Sequence, residues 1–175
     1  MIRTLLAGAA ALGLMAGPAL AADGDMARAA MKTAEGAGAG TVTLRETPHG
    51  VLVHAGLSGL PEGTHGFHIH ETGKCTPDFE AAGGHFAGEG DGHGFLSENG
   101  PHAGDLPNIH ILDRSRFAVE FFASGLTLDE VLDDDGAAVV VYSGADDYRT
   151  DPAGESGSRI ACGVLERMAG AGQSR

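Results

Sequence analysis

The sequence predicts an all-β domain, a sandwich or barrel of short strands. Three observations point there: apolar residues alternate with period two in several short stretches, glycine-rich turns separate them, and helical periodicity is almost absent. Glycine accounts for 29 of 175 residues, against a norm of roughly 7%. Residues 41–46 alternate strictly, residues 47–50 make a turn, and Val51, Val53, Ala55 and Leu57 alternate with Leu52, His54 and Gly56, so the two runs form a hairpin. Residues 66–71, 117–121, 137–142 and 159–165 read as four further strands, and residues 127–132 as one helical turn. Residues 22–39 begin polar and end in a glycine-rich flexible stretch, and residues 72–108 show almost no periodicity. Structureless loops beyond about 12–15 residues in a compact domain are usually functional or disordered. This one holds a cysteine and three histidines, so a metal could supply the order that its composition does not.

The N-terminus is a unit of its own. Met1-Ile2-Arg3 gives a positive start, residues 5–14 are apolar, and Ala19-Leu20-Ala21 is a small-x-small cleavage site. Residues 1–21 therefore read as a secretory signal peptide, too short in its apolar part to span a bilayer, and residues 22–175 as one exported, soluble domain. Export gives meaning to the only two cysteines. In an oxidising compartment Cys75 and Cys162 are expected to form a disulfide, and they lack the close spacing of a zinc or redox pair. The formal net charge is −13, one unit more negative once Arg3 leaves with the leader. So acidic a chain lacks the basic face that a DNA or RNA binder needs.

Nine histidines are unusual in an acidic chain. His68 and His70 lie at i and i+2 on a strand and project from one face. Two adjacent imidazoles can hold a metal, although this pair alone is better read as surface histidines. It has company, however. His93, His102 and Asp105 offer two nitrogens and a carboxylate oxygen, a mix that suits zinc, and His85 would complete a closed four-ligand site.

These residues sit in segments that resemble the secreted bacterial copper/zinc superoxide dismutases. The matching pieces are Gly66-Phe67-His68-Ile69-His70-Glu71, Gly83-Gly84-His85-Phe86, His93-Gly94, His102-Ala103-Gly104-Asp105-Leu106-Pro107-Asn108, Ala145-Asp146-Asp147 and Gly157-Ser158-Arg159-Ile160-Ala161-Cys162-Gly163-Val164. The resemblance implies a Greek-key β-barrel or sandwich of about eight strands with long metal-binding and electrostatic loops. It implies copper at His68, His70 and His85, and zinc at His85, His93, His102 and Asp105, with His85 bridging the two metals. Asp146 would link a copper ligand to a zinc ligand and fix their orientation. Arg159 would steer and hold superoxide, and Cys75–Cys162 would match the family disulfide. His65 corresponds to a structural histidine; His49, His54 and His110 match nothing metal-related, and His54 points outward.

One residue departs from the pattern. The register set by Ala145-Asp146 puts Tyr142 where the family has its fourth copper-ligand histidine. Two readings stay open: Tyr142 is an ordinary strand tyrosine covering a three-histidine site, or it is an oxygen ligand that favours Cu(II) over Cu(I). Residues 86–88 also lack the family's usual proline. The expected function is a periplasmic or secreted dismutase, monomer or homodimer, that converts superoxide to oxygen and hydrogen peroxide, with Tyr142 reducing its activity. The alternative is a non-catalytic, dismutase-like protein that binds zinc and copper. The negative chain repels superoxide at long range, so fast reaction needs a local positive funnel. Arg159 is expected at its base, while Lys74 and Arg149 read more simply as solvated surface.

Overall fold

The computed structural model describes residues 25–88 and 92–168; the leader expected over residues 1–21 lies outside them. Eight strands follow in chain order: β1 (Met26–Thr33), β2 (Gly38–Thr47), β3 (Gly50–Leu57), β4 (Gly63–His70), β5 (Asp105–Ile111), β6 (Phe117–Ala123), β7 (Ala138–Tyr142) and β8 (Arg159–Arg167). They form one antiparallel sheet in the order β5-β4-β7-β8-β1-β2-β3-β6. The end strands β5 and β6 approach without a ladder, so the sheet curls into a nearly closed barrel. Two long crossings, β3 to β4 and β6 to β7, give it Greek-key connectivity.

The alternation in residues 41–57 does what it predicts. Val42 and Leu44 of β2 and Val51, Val53, Ala55 and Leu57 of β3 face the core, and the two strands pair with Thr43 opposite His54, which is exposed. The expected helical turn forms as α1 (Leu128–Val131), started by a capping box between Thr127 and Glu130.

Two stretches differ from expectation. Residues 22–39 contain all of β1 and the start of β2. β1 alternates as a strand should, burying Ala27, Ala29 and Met31, but alanine has low strand propensity and concealed the period. Within residues 72–108, Phe79–Ala82 make a short 3-10 helix capped by Asp78, and β5 begins at Asp105, where histidine, proline and aspartate interrupt the apolar pattern of Leu106, Ile109 and Ile111.

Strands β4 and β7 position the candidate site. Residues 65–70 of β4 and all of β7 are buried, because loops cover their outer face as well as the core covering the inner. Phe67, Ile69, Val139 and Val141 point into the main core. The alternate residues Ala138, Val140 and Tyr142 form a second, smaller cluster with Ala82 and Cys162, on the face that carries His68 and His70.

Cys75 and Cys162 are bonded, tying the loop after β4 to β8 across 87 residues. Closing a loop of that length restricts the unfolded chain by about 4–5 kcal/mol on the entropy model. Reduction should therefore lower the melting temperature markedly, and alkylation of the native protein should label neither thiol. Two freely labelled cysteines, or a melting temperature insensitive to reductant, would contradict this.

Candidate metal centre

His68 and His70 leave β4 beside Val140 and Ala138 of β7, and an isolated bridge pairs His70 with His85. That bridge brings the loop histidine onto the strand pair, with the His68 and His85 ring centroids 4.1 Å apart. Two donor clusters share His85 among the described residues, His68, His70 and His85, and His85, His93, His102 and Asp105, each with its ligand atoms within 4.8 Å of one another; His68, His93 and Asp146 form a third such group between them. In the second cluster Asp105 Oδ1 lies 2.7 Å from His85 Nδ1, 3.1 Å from His93 Nδ1 and 3.5 Å from His102 Nδ1. His85 thus turns Nδ1 to one cluster and leaves Nε2 for the other.

Asp146 ties the clusters together. Its Oδ2 is 2.8 Å from His68 Nε2 and its Oδ1 3.0 Å from His93 Nε2. Gly154 passes directly over this carboxylate in a left-handed conformation, φ 64°, and a Cβ there would collide with Asp146 Oδ1.

The protonation pattern follows from contacts. The Gly83 carbonyl only accepts, so the 3.0 Å contact from His70 Nδ1 places that ring's proton on Nδ1 and leaves Nε2 with a free lone pair. Burial pushes the His70 imidazole down to about 2, reinforced by His85 and Arg159. Burial likewise outweighs the bond to Asp105 and leaves His85 at about 4. His68 is lowered too, burial winning over Asp146. These three rings are neutral at pH 7, as ligands must be. For His93 burial acts downward, but the hydrogen bonds to Asp105 and Asp146 prevail and raise it to about 9. Burial would raise both carboxyls; the histidine hydrogen bonds overcome it and hold Asp105 and Asp146 well below the usual carboxylate range.

Three buried imidazole nitrogens, His68 Nδ1, His85 Nε2 and His102 Nδ1, have no hydrogen-bond partner among the described residues. Orphaned buried acceptors are costly, and here each faces a donor cluster, which is what metal-ligand nitrogens require. The donor sets fit their metals: three imidazoles and a carboxylate for zinc, and imidazoles for copper.

Arg159 stands at the edge of the first cluster, donating through Nη1 to Phe79 O (2.7 Å) and through Nη2 to Gly83 O (2.8 Å). Glu80 Oε2 lies 3.4 Å from the same guanidinium. Arg149 is exposed and reaches the Leu96 carbonyl, and Lys74 is exposed. His65 is buried between the carbonyls of Tyr142 and Pro61, 2.7 and 3.0 Å away, outside both clusters. His49, His54 and His110 stand apart from them. Tyr142 is buried with its hydroxyl 3.1 Å from His70 Nε2, and burial pushes the phenol up to about 12 against the pull of Arg159.

Sequence reasoning missed three supports: the Gly83 carbonyl, Asn108, which grips the Asp146 backbone in both directions at 2.8 Å, and Tyr148, whose hydroxyl accepts from Asn108 N at 2.8 Å. Asn108 lies within the matched motif segment, but nothing local announces a backbone carbonyl as a shared acceptor.

The family model for copper/zinc superoxide dismutase matches residues 38–165. The chain belongs to the copper/zinc superoxide dismutases. Among relatives of this family, the copper–zinc superoxide dismutase 2 of Aquifex aeolicus is 43% identical over 146 residues, spanning 79% of this chain and 85% of the relative. That of Caulobacter vibrioides is 42% identical over 148 residues, 80% and 85% of the two chains. Among solved structures, a dismutase-like protein from Bacillus subtilis superposes with TM-score 0.75 at 37% identity, covering 79% of this chain and 97% of that one. The copper/zinc superoxide dismutase of Brucella abortus gives TM-score 0.69 at 31% identity, covering 81% and 99%. Copper and zinc are the metals of this family, and the two donor clusters suit them.

Removing Asp105 tests the second cluster directly, since its Oδ1 is the atom closest to all three histidines. Asp105→Ala should weaken zinc binding at least about 100-fold, the upper range for a residue that merely orients a ligand, and lower the melting temperature with it. Full zinc content with unchanged melting would refute the assignment.

Proposed function

We propose that this chain is an exported copper/zinc superoxide dismutase, converting two superoxide ions and two protons to oxygen and hydrogen peroxide. The observation that carries the reading is the shared His85, which offers one nitrogen to each of two buried donor clusters inside a dismutase barrel. His68 Nδ1, His70 Nε2 and His85 Nε2 would hold copper, and His85 Nδ1, His93 Nδ1, His102 Nδ1 and Asp105 Oδ1 would hold zinc. Bound copper supplies a one-electron couple and bound zinc a fixed positive charge. Asp146 orients His68 and His93 toward their clusters. With Nδ1 turned to the zinc cluster, His85 has Nε2 as the one atom at which it can take up and return a proton. Arg159 holds the anion: two carbonyls fix its guanidinium, which is what a preorganised electrostatic clamp needs. Relatives named as dismutases, together with the three copper-side histidines, favour catalysis over metal storage alone.

The metal-loaded protein should dismutate superoxide, faster at low ionic strength if Arg159 outweighs the chain's net charge locally. Arg159→Ala should lower kcat/KM at least about 10-fold and flatten that salt dependence. An Arg159→Ala protein with an unaltered rate and salt profile would remove Arg159 from the mechanism.

The leader-like residues 1–21 support a periplasmic destination. N-terminal sequencing of the protein from a periplasmic fraction should begin at Ala22. A cytoplasmic protein retaining Met1–Ala21 would overturn the localisation.

A further inference from the structure

We infer that Tyr142 supplies the fourth donor to copper through its phenolic oxygen, giving the site three nitrogens and one oxygen. This rests on the reading that His68, His70 and His85 hold copper. Tyr142 closes β7 on the same sheet face as His68 and His70, and its ring contacts every ring of that cluster, with centroids 5.3 Å from His68, 6.0 Å from His70 and 6.2 Å from His85. The residue is 3% exposed, packed among those rings with the Arg159 guanidinium 5.9 Å from its own ring centroid.

The oxygen is in the right place for a ligand. Two donor atoms each about 2.0 Å from one metal, at angles between square and tetrahedral, are about 2.8–3.3 Å apart. Tyr142 Oη lies 3.1 Å from His70 Nε2. Because the Gly83 carbonyl keeps the His70 proton on Nδ1, the phenol must donate its proton to the lone pair on Nε2, the pair a metal would use. Copper that takes Nε2 breaks that hydrogen bond and leaves the oxygen facing the ion with no other acceptor among the described residues. The O–H bond then breaks, an O–Cu(II) bond forms, and the proton passes to solvent; no electron moves. Arg159 stands beside the new anionic oxygen and offsets its charge.

Adding one equivalent of Cu(II) to the zinc-loaded protein tests this without reference to activity. A visible phenolate-to-copper charge-transfer band, with tyrosinate modes in its resonance Raman spectrum, is expected. Tyr142→Phe should keep zinc and copper at full stoichiometry but lose both signals, and its copper potential should rise, because an anionic oxygen stabilises Cu(II). Tyr142→His, whose ring offers a neutral nitrogen, should raise the potential likewise. The chain has two tyrosines, so a band that survives in Tyr142→Phe would belong to Tyr148 and overturn the proposal. Stoichiometric copper with no band in the parent would overturn it while leaving the three-histidine site standing. Failure of both proteins to take up copper beside bound zinc would sink the three-histidine reading itself.

Discussion

Everything at this centre leans on one buried carboxylate. Asp146 gives an oxygen to His68 and the other to His93, and so fixes both clusters with a single side chain. Such a group is expensive to bury unless its charge is met on every side. Here it is: beyond the two imidazoles, Tyr148 N donates to Oδ1 at 2.6 Å, while Asn108 clamps the Asp146 peptide to β5. The loop after β7 is thereby attached to the strand that begins with Asp105 of the second cluster. Distances between the two clusters are set by the protein before any ion arrives.

The barrel and the centre use different physics. Inside the barrel, alternation sorts side chains, and Phe67, Ile69, Val139 and Val141 need only bury apolar area. Outside β4 and β7 the covering loops are rich in glycine and poor in apolar residues, so area alone cannot offset the entropy of ordering them. The small cluster around Val140, Ala82 and Cys162, the disulfide and the carboxylate–imidazole network take over that task. Metal binding adds to it, since free energy released on coordination becomes free energy of folding.

This division explains what could be read from the chain. The β2–β3 hairpin was legible because valine and leucine mark every alternating inward position of residues 42–57 except Ala55. β1 was not, since its inward residues are mostly alanine, whose role in a strand depends on the neighbours β2 and β8 that only the fold supplies. β5 was hidden by the same residues that make it useful: Asp105 and Asn108 serve the centre rather than the core. The histidine set could be read from types and spacing. The carbonyl of Gly83, the clamp by Asn108 and the direction of the Tyr142 hydroxyl depend on backbone paths, and sequence patterns are silent about those.

The Gly83 carbonyl accepts from His70 Nδ1 and from Arg159 Nη2 at once, so one oxygen atom sets the spacing between a ring of the centre and the cation at its mouth. Gly83 holds φ 76°, and a Cβ there would press on the Glu71 side chain, which leaves that peptide little choice of residue. Phe79, by contrast, meets Arg159 only through its carbonyl. Substitutions between Cys75 and Ala82 that spare Phe79, which packs on the small cluster, and Glu80, which meets the guanidinium at 3.4 Å, can therefore recolour the rim of the site without detuning the ring and the cation relative to each other. The loop can diversify while its anchor stays still.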